Sequence, residues 1–507
     1  MGLKLGEIFK DGMVLQRDKE INVWGTAESG STINVSLKGK NYSVGTDVKG
    51  EWKVCIPALS ASFGTKMIVS DGVDKICIED VLIGDVFVAG GQSNMEFFMR
   101  YDKDFDKVVQ TCENPLIRFY DIPEISTPEE PQMHDYSLFG FWRKATPEDL
   151  QYFSAVGYYF ARTMQEHLQV PIGIVGCNWG GTRSCCWMDE ESVEKYGPVW
   201  RRDYEEQVAS IIDMEEAKQK YLTNMFSDKS HPFDNPVDDK MMYGNVSKEE
   251  LEGMMDAFAE LDSISVLGPW HPWRPCGCYH YMLNQIASYT VKGVIWYQGE
   301  SDSTHPEIYA DMMEGLIKCW RRDWNDELPF FMTQLAPFGT EIMQDALYYP
   351  ELRQQQELVT KRVNNVFLAS IGDVGNYMDI HPKEKQPVGH RLALLALGHL
   401  YNEKILCDAP MPNFLEIKDG QIIIHFSNAS GGLFLKGDTI NAISLIGETN
   451  KDIDAVNYSI TIEDESLIIT VNNDEMVKAV SFAETPYYEV NLYNMSKIPV
   501  MPFRVEL

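Results

Sequence analysis

Val86-Phe87-Val88-Ala89-Gly90-Gly91-Gln92-Ser93-Asn94-Met95 is a compact apolar run that enters a double-glycine turn carrying a serine. The run reads as a buried strand, and the glycines mark a sharp turn into the next element. The same grammar recurs twice. Ile172-Gly173-Ile174-Val175 leads to Asn178-Trp179-Gly180-Gly181-Thr182, and Val294-Ile295-Trp296-Tyr297 leads to Gln298-Gly299-Glu300-Ser301. Phe330-Phe331-Met332 and Val366-Phe367-Leu368-Ala369 are further predicted strands. Helical spacing is evident over 155–168, ahead of Pro171, and over 389–401. Strands alternating with helices predict an α/β fold with a mostly parallel sheet flanked by helices. Ligands on such sheets bind at the carboxyl ends of the strands.

Outward from this unit the pattern changes. Residues 1–80 carry short alternating segments, Ile21 to Trp24, Ile33 to Leu37 and Trp52 to Ile56, separated by Gly- and Ser-bearing turns. They predict a small β-sandwich. Residues 406–507 return to β, with Gln421 to Phe426 and Leu467 to Val471 the clearest strands. The expected organisation is an N-terminal β domain (1–80), an α/β domain (81–405) and a C-terminal β domain (406–507). An acidic, Met-rich, helix-patterned insertion falls at about 189–268. It reads first as helices packed on the domain and second as a lid.

The chain has 507 residues, with 44% hydrophobic and 24% charged residues, the balance of an ordinary globular protein. The formal net charge of −32 repels nucleic-acid phosphates and anionic lipid heads, so neither nucleic acid nor membrane is expected as a partner. No apolar run approaches the roughly 18 residues of a membrane span. Lys4, Glu7, Lys10 and Asp11 stand where a signal peptide needs an apolar stretch, so a cytoplasmic address is expected, or a processed secreted form. The ten cysteines are spread along the chain and read as mostly reduced, buried thiols. Cys276-Gly277-Cys278-Tyr279-His280 has the residue types of a metal site but not the spacing, and no metal is expected there.

The three glycine turns and one further motif carry the chemistry. Ser93, held at a strand-to-helix turn, has the position of a nucleophile. Met95 replaces the last glycine of G-x-S-x-G, which argues against an α/β-hydrolase elbow. The amides of Ser93, Gly180 and Gly181 and the side chain of Gln298 are candidate oxyanion donors. Asp379-Ile380-His381-Pro382 offers a base and an acid to orient it. Each piece has a plain structural alternative: a turn residue, a tight turn, a polar group satisfying loop backbone, a surface loop.

Together these blocks resemble the sialate O-acetylesterases, members of the SGNH (GDSL-like) hydrolase superfamily. The resemblance extends to Phe9 to Arg17, Phe153 to Arg162, Val490 to Asn494 and Pro502-Phe503-Arg504. It implies an SGNH-type sheet and a serine esterase that removes O-acetyl groups from sugars through an acyl-enzyme, most favourably from 9-O-acetylated sialic acid. Ser93 is then the nucleophile, His381 the general base and Asp379 the third triad member. Asp379 stands two residues before the histidine, where the superfamily usually places its acid three before. Asp373, or a backbone carbonyl, is the alternative. Gln92, Asn94, Arg183 and Glu300 are candidates for substrate binding; Arg183, directly after the second glycine turn, either meets a sugar carboxylate or is a surface or structural arginine. No metal or organic cofactor is implied. The competing readings are an acetylxylan-type esterase and a non-enzymatic carbohydrate-binding protein.

Overall fold

The computed structural model describes residues 2–132, 135–222, 249–250, 253, 267–341, 343–472 and 476–507. The chain divides into two compact units, one of residues 1–298 and 310–330, the other of 299–309 and 331–507.

The first unit is organised by one long strand, Lys75–Gly91, of 17 residues. Its first half pairs antiparallel with Ser62–Ser70. Its second half pairs parallel with Val14–Gln16, Ile172–Asn178 and Gly293–Tyr297. The change from antiparallel to parallel pairing thus occurs inside a continuous strand, which carries the N-terminal β region directly into the α/β sheet. Asn114–Asp121 adds in parallel beyond Ile172–Asn178, and Trp142–Ala145 closes that edge antiparallel. The strands buried on both faces are unbroken apolar runs: Ile172–Asn178 and Gly293–Tyr297 are buried at every position. The antiparallel N-terminal strands alternate instead, as in Glu51–Ile56, where Trp52, Val54 and Ile56 are buried and Glu51, Lys53 and Cys55 exposed.

The helix expected over 155–168 spans Ala155–Leu168. Ser154 caps it, its hydroxyl accepting from the Gly157 amide at 3.0 Å. The described part of the insertion is helical over Glu190–Tyr196, Pro198–Ser210 and Met214–Leu222. Its stretch 223–248, and most of 251–266, lies outside the described residues.

The second unit contains the strand Val366–Ala369 and the helices Tyr349–Arg362 and Gln386–Leu400. It continues into a four-stranded and a three-stranded antiparallel sheet. Ile424, Leu467 and Ile469 from the first of these and Leu445, Val480 and Phe482 from the second share one apolar core. The two sheets thus pack face to face over this core. All ten cysteines are thiols; Cys55 and Cys77 are exposed and the other eight buried. No helix among the described residues is long and apolar enough to cross a membrane.

Candidate active site

In the first unit, strand register brings the three glycine turns to one level. Asn178 and Tyr297 are both paired with Gly91, one on each side. The Gln92–Ser93, Trp179–Gly181 and Gln298 segments therefore leave the carboxyl ends of three adjacent strands together. The order of these strands reverses here, the location where such sheets take ligands. Gly91 has φ +139°, and a Cβ on it would lie 2.1 Å from the Tyr297 carbonyl oxygen, so only glycine fits. The Gln92 amide donates to the same carbonyl at 3.1 Å, and the Trp179 amide donates to the Gly91 carbonyl at 3.2 Å.

Ser93 opens a single helical turn, Ser93–Glu96, and is half-buried, between the buried side chains of Gln92 and Asn94. The turn is anchored from behind. The Ser154 hydroxyl donates to the Met95 carbonyl at 2.5 Å, and the Ala155 amide donates to the Phe97 carbonyl at 2.8 Å. The capping serine of the long helix thus also positions the turn that bears Ser93.

The second turn shows what sequence reading missed. Glu96 accepts from the Gly180 amide at 2.6 Å through Oε2, a charge-assisted bond between residues 84 apart in sequence. Gly180 is thereby not presented as an oxyanion donor, which corrects the expectation for it. Gly181 adopts φ +74°, and no described residue accepts from its amide. The Trp273 indole N–H donates to the Gly180 carbonyl at 3.1 Å, and a Cβ on Gly181 would lie 2.3 Å from the Trp273 ring. Glu96 and Trp273 therefore hold the turn from both sides. Glu96 stands one residue beyond the quoted Gly91 to Met95 block, so its place in the turn was the only available signal. Gln298 is fully buried, and its side-chain amide donates to the Thr182 carbonyl at 3.3 Å, tying the third turn to the second.

Arg183 is half-buried, with its guanidinium 4.5 Å from the centre of the Trp200 ring on helix Pro198–Ser210. His271, buried nearby, has its pKa pushed down to about 3 by burial and by the Arg183 charge, so it is neutral. Trp187 and Trp270 are buried packing residues, whereas Trp273 stays half-exposed at the glycine turn.

In the second unit His381 follows a loop shaped by Asp379. One Asp379 oxygen accepts from the His381 backbone amide at 2.9 Å, and the other pairs with Lys383 at 2.8 Å. Asp379 therefore bonds to the backbone of His381 and not to its imidazole, which corrects the triad expectation for it. Asp373 is not the substitute: both its oxygens receive the Arg391 guanidinium, at 2.6 and 2.8 Å. Burial, then the Lys385 and Lys383 charges, push the His381 pKa down to about 3. The imidazole is neutral at pH 7 and able to accept a proton. Glu300 is buried in a short turn, Glu300–Asp302, after Gly299. The Cys276, Cys278 and His280 side chains do not converge: His280 pairs with Glu190 at 2.8 Å and Cys278 donates to the Pro272 carbonyl.

Residues 265–397 match the family model described as carbohydrate esterase, sialic acid-specific acetylesterase. Sialate O-acetylesterase of Mus musculus is 26% identical over 454 residues, covering 82% of this chain and 77% of the mouse protein. That of Homo sapiens is 24% identical over 453 residues, covering 82% and 75%. The crystal structure of a carbohydrate acetylesterase from Xanthomonas citri superposes with a TM-score of 0.76 at 28% identity, covering 99% of each chain.

Proposed function

We propose, on the premise that the chain belongs to the sialate O-acetylesterase family and is a carboxylic ester hydrolase, that it deacetylates sugars through a serine nucleophile at Ser93. The observation that carries the reading is the common level of the three turns around Gly91, which exposes the Ser93 turn beside the Gly181 amide and the Gln298 turn. His381 takes the Ser93 proton as Oγ attacks the acetyl carbonyl. The carbonyl oxygen becomes an oxyanion, met by the backbone amides of Ser93 and Gly181 and by the Gln298 side-chain amide. Collapse releases the sugar alcohol, which takes the proton back from His381 and leaves acetyl-Ser93. Water, deprotonated by His381, then attacks the acetyl carbon, and the bond to Ser93 Oγ breaks as Oγ takes that proton back and acetate leaves. His381 is neutral at pH 7, as a base must be before it acts.

For the acyl donor we propose 9-O-acetylated sialic acid, bound with Gln92, Asn94 and Glu300 near the ester and with Arg183 toward the sugar carboxylate. The Trp200 ring 4.5 Å from the guanidinium supports this role, because it restrains the Arg183 side chain beside the second turn. The test is kcat/KM for acetate release from 9-O-acetylated sialic acid beside acetylated xylo-oligosaccharides. The expected preference is for the sialic acid, narrowed by Arg183→Ala. Equal or reversed preference in the wild type overturns the substrate and keeps the mechanism open.

Glu96 serves as a positioning residue in this scheme. A charge-assisted hydrogen bond contributes about 1.5–3 kcal/mol, so Glu96→Ala is expected to lower kcat about tenfold to a hundredfold with KM nearly unchanged. Glu96→Gln, which keeps an acceptor, should restore most of the rate. A Glu96→Ala kcat within twofold of wild type would remove Glu96 from the site.

A further inference from the structure

The described residues bring the residue types of a metal site together away from Cys276–His280. His399, Cys407 and Asp408 place an imidazole nitrogen, a thiol sulfur and a carboxylate oxygen within 4.8 Å of one another. His399 Nε2 lies 2.9 and 3.0 Å from the two Asp408 oxygens, and the Cys407 sulfur lies 3.4 Å from Asp408 Oδ2.

Each ligand is held independently of the others. The His399 ring stacks on Phe367, with centres 3.9 Å apart and planes at 15°, which fixes the imidazole plane. The Cys407 sulfur sits against Gly398, where a Cβ would lie 2.4 Å from it, so the thiol reaches this position only because residue 398 is glycine. The Asp408 backbone is held by the buried Asn494, whose side-chain amide donates to the Asp408 carbonyl at 3.2 Å. Cys407 is buried and His399 solvent-accessible, so the set has a dry base and an open mouth. His399 also lies in the last turn of helix Gln386–Leu400, whose negative end favours a cation.

We infer that His399, Cys407 and Asp408 form a binding site for one borderline divalent cation, Zn2+ in the first place. Nitrogen, thiolate and carboxylate are the ligand types zinc takes, with a water in the fourth position. Tetrahedral bonds of about 2.0–2.3 Å separate neighbouring ligand atoms by roughly 3.3–3.7 Å. The distances here straddle that range, so small side-chain rotations admit the ion. Binding forms a Zn–S bond and releases the Cys407 thiol proton to solvent; the Nε2 proton that His399 gives Asp408 is exchanged through solvent for one on Nδ1, so that neutral His399 binds through Nε2, and one Asp408 oxygen replaces its hydrogen bond to His399 with a bond to zinc. The ion would pin the end of the helix after the His381 loop to the segment entering the strand Met411–Lys418.

The test uses the full chain, stripped with a chelator and titrated with Zn2+ in calorimetry, with bound metal measured after gel filtration. Uptake of about one zinc per chain is expected, with release of a proton read from the buffer dependence of the heat. Cobalt in place of zinc should give a thiolate charge-transfer band. Cys407→Ser should abolish band and uptake, while Cys276→Ser leaves both. Should Cys407→Ser fail to fold, His399→Gln and the blocking Gly398→Ala carry the same expectation. Substoichiometric uptake by the wild type, or uptake unchanged by Cys407→Ser or by His399→Gln, would overturn the site and leave an ordinary His–Asp pair beside a buried thiol.

Discussion

Ser93→Ala is expected to lower kcat/KM for acetate release by about 10⁴-fold or more, the scale on which serine hydrolases lose turnover without their nucleophile. The turn is shaped by backbone: the Met95 and Glu96 amides donate to the Gln92 carbonyl, the Phe97 amide to the Ser93 carbonyl, and Ser154 fastens Met95 from behind. None of these bonds uses the Ser93 side chain, and alanine suits a helical turn. Thermal and chemical stability should therefore stay close to wild type while turnover is lost. A fluorophosphonate should label the wild type and not the variant. Acetate release within tenfold of wild type would sink the assignment of Ser93 and, with it, the serine mechanism.

The largest expected loss of stability comes from Arg353. It is 1% exposed, and its guanidinium donates to four backbone carbonyls: Leu335 at 3.0 Å, Ala336 at 3.2 Å, Thr485 at 2.9 Å and Pro486 at 2.8 Å. The Tyr488 ring lies 4.9 Å from it. One side chain thereby joins the segment after strand Phe330–Thr333 to the C-terminal β region. No carboxylate meets this charge in the bonds described, so the carbonyl dipoles carry its solvation. Arg353→Met fills much of the volume but leaves those carbonyls unsatisfied. At about 1–3 kcal/mol for a buried orphan, softened by relaxation and water entry, the expected loss is about 3–5 kcal/mol. Arg353→Lys should retain only part of it, since an ammonium cannot span four acceptors as a planar fork does. Denaturant unfolding measures both. A loss under about 1 kcal/mol for Arg353→Met would mean the carbonyls find other donors.

Much of the fold could be read from local pattern. The apolar runs at Val86, Ile172, Val294 and Val366 are strands, and Ala155–Leu168 is the helix its spacing predicts. The helix expected over 389–401 begins earlier, at Gln386, with a proline in its first turn. The pattern did not show that the first of these strands starts at Lys75. Residues 75–80 alternate like an exposed sheet while 82–91 are buried throughout, so one strand crosses two environments and reads as two elements.

The sequence by itself determined the order of strands, the glycine turns after them and the residue types those turns carry. These depend on backbone conformation and on apolar periodicity over a few residues, which nearby sequence controls. Only the tertiary structure decided which partner each carboxylate takes. Glu96 is committed to the Gly180 amide, Asp373 to Arg391, and Asp379 to Lys383 and a backbone amide. A charged side chain in a low-dielectric interior goes to whichever donor the fold brings within about 3 Å, and spacing along the chain carries little information about that. Likewise no spacing motif marks His399, Cys407 and Asp408, which the end of one helix and the chain beyond it bring together.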